Sequence, residues 1–191
     1  MSTTRNLTTL AILSALGAVL MLFEIPVLVM AIDVSDVVVL IAFFLFGWKE
    51  AAFVGLMKVL VHFLFKGAVG PFAVGQISAF IASMGYVTGL SLAFRLGFKN
   101  RLSTSALTIL MVTAVMVLAN YFVITPLWFG YPSVYHMEDT VSPRAFGFSF
   151  SAGYLATILV IYIPFNLLKG SIVLGLYHIL SRASTAYLEW K

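Results

Sequence analysis

Residues 72–94 read Phe-Ala-Val-Gly-Gln-Ile-Ser-Ala-Phe-Ile-Ala-Ser-Met-Gly-Tyr-Val-Thr-Gly-Leu-Ser-Leu-Ala-Phe, without one charged side chain. A helix that crosses the hydrocarbon core of a bilayer needs about 20 such residues. Lipid offers the backbone no hydrogen-bonding partner, so a spanning segment must be a helix or part of a closed barrel. Barrel strands alternate apolar and polar residues. This stretch is apolar without that alternation, so it reads as a transmembrane helix.

Outward from it, the same pattern recurs. The predicted helices cover about 7–23, 37–47, 51–65, 72–94, 102–127 and 145–180. Glu24, Pro26, Asp33 and Asp36 mark the loop after the first, and Trp48, Lys49 and Glu50 a tight turn after the second. Lys66 to Pro71 carries strong helix breakers. The polar segment from Trp128 to about Pro143 holds Tyr131, Pro132, His136, Glu138 and Asp139. The chain is 62% hydrophobic and 9% charged, with a mean hydropathy of +1.08. A soluble domain carries roughly 25% charged residues. The expected fold is therefore an all-α integral membrane protein, a bundle of six transmembrane helices. It forms one membrane domain over residues 1–191, with no soluble domain or internal repeat visible. The first apolar run lacks a convincing cleavage site and is read as retained.

Lys and Arg set the orientation of such a bundle. With the N-terminus inside, Arg5, Lys49, Arg95, Lys99, Arg101, Arg182 and Lys191 lie on the inner side, and only Lys66 and Arg144 outside. Both termini are expected in the cytoplasm of a multi-pass cell-membrane protein. The loops after helices 1, 3 and 5 then gather on the outer face, where a ligand can be received. The net charge of +4 reads as this asymmetry, not as a nucleic-acid patch. The chain has no cysteine, which excludes disulfides and Cys-ligated zinc. His62, His136 and His178 are scattered, and there is no P-loop or dinucleotide fingerprint. Nothing here reads as an enzyme, a metal site or a resident cofactor.

The polar residues left inside apolar runs carry the rest. Lys58 and Lys169 each cost at least about 2.5 kcal/mol at mid-bilayer unless they find a partner or water. They read either as ligand contacts facing a cavity or as structural partners of Asp33 or Asp36. Asn166 lies three residues before Lys169 on the same helix face, with Pro164 just before it. His62 lies one turn from Lys58, and a lone histidine there is usually a satisfied helix-end residue. Asn120 reads as a helix–helix hydrogen bond or as a ligand contact. Asn120, Asn166 and Lys169 together offer donors and acceptors suited to the edge of a planar heterocycle. Ala11 and Ala15, with Ala18 nearby, make a small-residue face on helix 1, and Gly85 and Gly89 make one on helix 4.

These landmarks resemble the substrate-binding S-components of energy-coupling factor (ECF) transporters, of the riboflavin-specific type. They stand as Ile32-Asp33-Val34-Ser35-Asp36, Val69-Gly70-Pro71-Phe72-Ala73, Asn120-Tyr121-Phe122 with Pro126-Leu127, and Ile163-Pro164-Phe165-Asn166-Leu167-Leu168-Lys169-Gly170. The resemblance implies a six-helix bundle that takes riboflavin as transported ligand near the outer face, without ATP. It implies partnership with a coupling T-component and two ATPase subunits, with Ala11 and Ala15 as the docking motif. It places Asn120, Asn166 and Lys169 on the flavin edge, with Ile32, Asp33, Lys58, Gly70 and Phe72 completing the site. The family often carries Asn after the helix-3 lysine and after the Gly-Pro-Phe-Ala stretch. Here Val59 and Val74 stand there, with Gln76 as a possible substitute in the second place. Alternatives are another vitamin, a phosphorylated flavin met by Lys66 and Arg144, or a structural membrane subunit without ligand.

Overall fold

The computed structural model describes residues 3–27, 30–130, 134, 137 and 141–189. Helix α1 (Thr3–Leu22) leads into a short antiparallel hairpin, β1 (Ile25–Val27) and β2 (Met30–Ile32), which pairs Ile25 with Ile32 and Val27 with Met30. Helices α2 (Asp36–Phe46), α3 (Trp48–Lys66) and α4 (Val74–Arg95) follow. Helix α5 (Arg101–Ala119) continues through a π turn, Asn120–Ile124, into α6 (Thr125–Trp128) as one rod. The chain closes on the long α7 (Tyr154–Glu189).

The six rods are the six expected, with shifted ends. Trp48, Lys49 and Glu50 are not a turn but the start of α3. Gly47, at φ 105°, makes the reversal alone, and Glu50 suits the positive end of the helix. At α4 the regular helix begins at Val74, because Phe72 and Ala73 both have left-handed φ, near 55°. The last helix begins at Tyr154 instead of Ala145. Within residues 145–153 only Phe146 is buried, and the stretch is not helical beyond its first turn. Pro143–Phe146 forms one 3-10 turn ended by Gly147 at φ 89°. Phe146, Met137 and Val141 bury against Tyr154, Ile158, Ile161 and Tyr162. Tyr131, Pro132, His136, Glu138 and Asp139 lie outside the described residues.

Among the described residues, three rods are long and apolar enough to cross a membrane: 71–95, 101–128 and 154–181. Helix α2 has 11 residues, about 16 Å of helix, and is shorter than the roughly 30 Å hydrocarbon core of a bilayer. Its Val37, Val38, Val39 and Leu40 form the centre of the core, against Val54, Tyr86, Val112 and Leu174 from the surrounding rods. Leu64, Phe65, Leu102 and Leu110 point outward and are exposed, as a lipid-facing surface requires.

The Gly85 and Gly89 face packs inside the bundle. A Cβ on Gly89 would lie 2.9 Å from the Thr108 Cα, so the backbones of α4 and α5 approach closely there. On α1, Ala11 and Ala15 are exposed while Ala18 faces inward and is buried. The small outward face is therefore Ala11 and Ala15 without Ala18.

Candidate ligand-binding site

A cavity of about 330 Å³ lies under the hairpin, the turn at 67–73 and the segment after α6. Such a volume lies at the small end of the range for small-molecule sites. Its walls come from every rod except α2. Met21 and Glu24 close α1, Met30 and Asp33 flank β2, and His62 comes from α3. Tyr86 comes from α4, Asn120 and Trp128 from the π turn and α6, and Asn166 and Lys169 from α7. Most of the wall is apolar and aromatic, with few polar groups, as expected of a pocket for a largely planar molecule.

Asn120 stands at the first residue of the π turn. Pro126 has no N–H for the Phe122 carbonyl and its ring clashes with that carbonyl in a regular helix. The backbone widens instead, with Thr125 N–H donating to the Asn120 carbonyl. Tyr154 at the start of α7 donates to the Tyr121 carbonyl at 2.7 Å and pins the widened turn. The Asn120 Nδ2 donates to the Met116 carbonyl at 2.7 Å, and the Asn166 Nδ2 to the Tyr162 carbonyl at 2.7 Å. Each amide is thereby oriented by its own helix, with its Oδ1 and second N–H left for the cavity.

The two lysines answer to two aspartates. Lys169 Nζ donates to Asp33 Oδ2 at 2.8 Å and lies 3.5 Å from Asp36 Oδ2. Lys58 Nζ donates to Asp36 Oδ1 at 2.6 Å and to the Ser35 hydroxyl at 2.8 Å. Ser83 adds a 2.6 Å bond to Asp36 Oδ1. The Asp33 carboxylate also accepts from the Ser35 N–H at 3.0 Å and from the Ser35 hydroxyl, which turns the chain into α2. Burial by itself pushes the Asp33 carboxyl up. The charges of Lys169 and Lys58, with hydrogen bonds from Lys169 and Ser35, outweigh burial and hold it well below the usual carboxylate range.

Of the residues the sequence singled out, Asn120, Asn166, Lys169 and Asp33 meet in one cavity. Ile32, Lys58, Gly70 and Phe72 are not in its wall. Lys58 is 1% exposed and held in its ion pair, the structural role rather than a cavity contact. Phe72 is 76% exposed and points away. Gly70 works from behind: a Cβ there would come within 2.4 Å of the Trp128 ring, which does line the cavity. Gln76 also lies outside the wall. Lys66 pairs with Glu24, and neither Lys66 nor Arg144 lines the cavity. Sequence reading missed Trp128, Tyr86 and Glu24, which look like any other belt or loop residues before the chain is folded.

The sequence matches the model of the ECF transporter substrate-specific component family over residues 5–181. It is 30% identical to the riboflavin transporter RibU of Staphylococcus aureus (strain TCH60), over 99% of this chain and 95% of that protein. It is also 30% identical to the riboflavin transporter RibU of Streptococcus thermophilus (strain ATCC BAA-250 / LMG 18311), over 90% of this chain and 79% of that protein. The riboflavin transporter FmnP of Bacillus subtilis (strain 168) is 28% identical over 88% of this chain and 86% of its own. Among solved structures, the S component of a bacterial ECF transporter superposes with a TM-score of 0.76 at 23% identity, covering 98% of this chain and 99% of that one.

Proposed function

The chain belongs to the ECF transporter substrate-specific component family, and from that premise we propose that its cavity captures riboflavin at the outer membrane face. It is a membrane transport component, not an enzyme. The observation that carries the ligand is the convergence of Asn120, Asn166 and Lys169 in one aromatic-walled cavity. Two oriented amides and one ammonium match the alternating acceptors and donors along the polar edge of an isoalloxazine ring. The relatives named as riboflavin transporters support the same assignment. Asp33 holds Lys169 in place for that contact.

Binding in this reading needs no ATP. Delivery inward uses an ECF module, in our reading a T-component and two ATPases that dock on the exposed Ala11 and Ala15 face of α1. The positive-inside bias supports, in this reading, both termini in the cytoplasm and the cavity at the outer face. A phosphorylated flavin fits less well, because Lys66 is neutralised by Glu24 and the Glu24 carboxylate itself lines the cavity.

The test is a fluorescence-quenching titration of the purified protein with riboflavin and with riboflavin monophosphate. Saturable riboflavin quenching at or below micromolar concentration is expected, with the monophosphate weaker. No quenching by either flavin would overturn the assignment. Asn166→Ala removes one oriented amide and is expected to weaken binding severalfold to tenfold.

A further inference from the structure

His62 is a polar residue of the cavity wall that the flavin-edge assignment does not use, and its partner atoms define its protonation. Its neighbour Gln76 is locked by the backbone on both sides. The Val69 N–H donates to Gln76 Oε1 at 3.1 Å, and Gln76 Nε2 donates to the Gly67 carbonyl at 2.8 Å. A backbone N–H can only donate and a carbonyl can only accept, so the amide cannot be flipped. The second Nε2 hydrogen then points to His62 Nδ1, 3.2 Å away. Nδ1 must accept, so the ring is neutral with its proton on Nε2. That Nε2–H is buried with no hydrogen-bond partner among the described residues. His62 is 1% exposed and stands in the cavity wall. A buried donor without an acceptor is rare in native structures, and in a cavity wall it calls for a ligand oxygen.

We propose that His62 is a ligand-reading residue whose Nε2–H donates to a hydroxyl oxygen of the ligand's sugar-alcohol side chain, and that Gln76 is the positioning residue that sets its tautomer. The inference rests on the riboflavin reading. Asn120, Asn166 and Lys169 come from the α5 rod and α7, whereas His62 and Glu24 come from α3 and the end of α1. With the ring edge held by the first group, the second is left for the remaining polar part of the ligand, its hydroxyl chain. A neutral hydroxyl suits a wall that holds a neutral imidazole beside the Glu24 carboxylate. Gln76 thereby reaches the ligand through His62 and not by its own contact.

Two substitutions separate the two ring nitrogens. In His62→Asn the amide occupies the place of Nδ1, meets Gln76, and supplies no donor at the Nε2 position. In His62→Gln the longer amide carries an N–H to the Nε2 position. Each variant and the wild type are titrated with riboflavin and with lumiflavin, which has the same ring and no hydroxyl chain. Riboflavin affinity is expected to fall about three- to tenfold in H62N and less than threefold in H62Q. Lumiflavin affinity is expected to stay within twofold in both. Unchanged riboflavin affinity in H62N overturns the inference. So does an equal loss for both ligands in both variants, which would mark a purely structural histidine. If the wild type binds neither flavin, the riboflavin reading falls first and takes this one with it.

Discussion

Asp33 and Lys58 show how differently two buried ions of one network can serve. Asp33 lines the cavity and orients Lys169, whereas Lys58 stands behind it and closes the charge of Asp36. Removing one partner of a buried pair leaves an uncompensated charge and costs about 3–5 kcal/mol. Lys58→Met is therefore expected to lower thermal stability by about that much while flavin affinity, measured on the folded fraction, changes less than threefold. A tenfold affinity loss at unchanged melting temperature would place Lys58 in the ligand site after all. Asp33→Asn is expected to damage both stability and binding. The Asp33 carboxyl titrates below its unfolded value of about 3.9. Its contribution to stability is thus fully present above that value and is lost only as pH falls through the folded one. Melting curves from pH 8 to pH 4 are expected to keep a constant gap between wild type and D33N. A gap that closes near pH 6 would contradict this.

At the scale of elements, the turn between α3 and α4 is built around special backbone. Gly70 has φ 74° and ψ 175°, a region that essentially only glycine occupies at low cost. Its missing Cβ also makes room for Trp128 of α6, so one residue links the turn to the cavity wall. Gly70→Ala is expected to lose about 1–3 kcal/mol from backbone strain, to push the indole inward and to reduce riboflavin affinity. Gly97→Ala is the control, since it shares a positive φ but faces open space at the far end of α4. Comparable affinity losses in both variants would separate Trp128 from the effect and refute the linkage. The π turn obeys the same logic: Pro126 sits in the sequence six residues after Asn120, and the widening it forces sets where that amide points.

For the whole molecule, the decisive property is the division of charge between two ends. The basic turn at Arg95, Lys99 and Arg101 stands at one end of α4, and the hairpin and the 67–73 turn stand with the cavity at the other. Because the chain has no cysteine, single introduced cysteines report sidedness without background. A membrane-impermeant thiol reagent applied outside intact cells is expected to label Lys66→Cys and to leave Lys99→Cys unlabelled until the membrane is opened. The reverse pattern would invert the bundle and move the cavity to the cytoplasm. The outward Ala11 and Ala15 face is a whole-molecule feature as well. Ala15→Trp is expected to leave flavin binding within twofold and to abolish ATP-driven uptake in vesicles that carry the coupling module. Full uptake by that variant would remove the face from the docking surface.

Hydropathy is a local property, so the six rods and the uneven spread of Lys and Arg between their loops were legible in the chain itself. Lipid forces every spanning segment to satisfy its own backbone, and that constraint acts on each stretch alone. The same physics made Asn120, Asn166 and Lys169 stand out, because a polar group in an apolar run needs a reason. The ends of elements were less legible. The run after Arg144 carries Phe146, Phe148 and Phe150 without continuing as a helix, and only the fold shows Phe146 packed among Tyr154 and Tyr162. Three-residue strands are too short to show a period, so the hairpin was hidden. Partner choice was decided only by the tertiary structure. Lys169 meets Asp33 across 136 residues of chain, and Lys58 takes Asp36 and withdraws from the cavity. The tautomer of His62 depends on where the Gln76 amide is anchored, and the residues from Val69 to Gln76 must fold back before that anchor exists. Such contacts join elements whose sequences carry no mark of one another, which is why the site needed the fold.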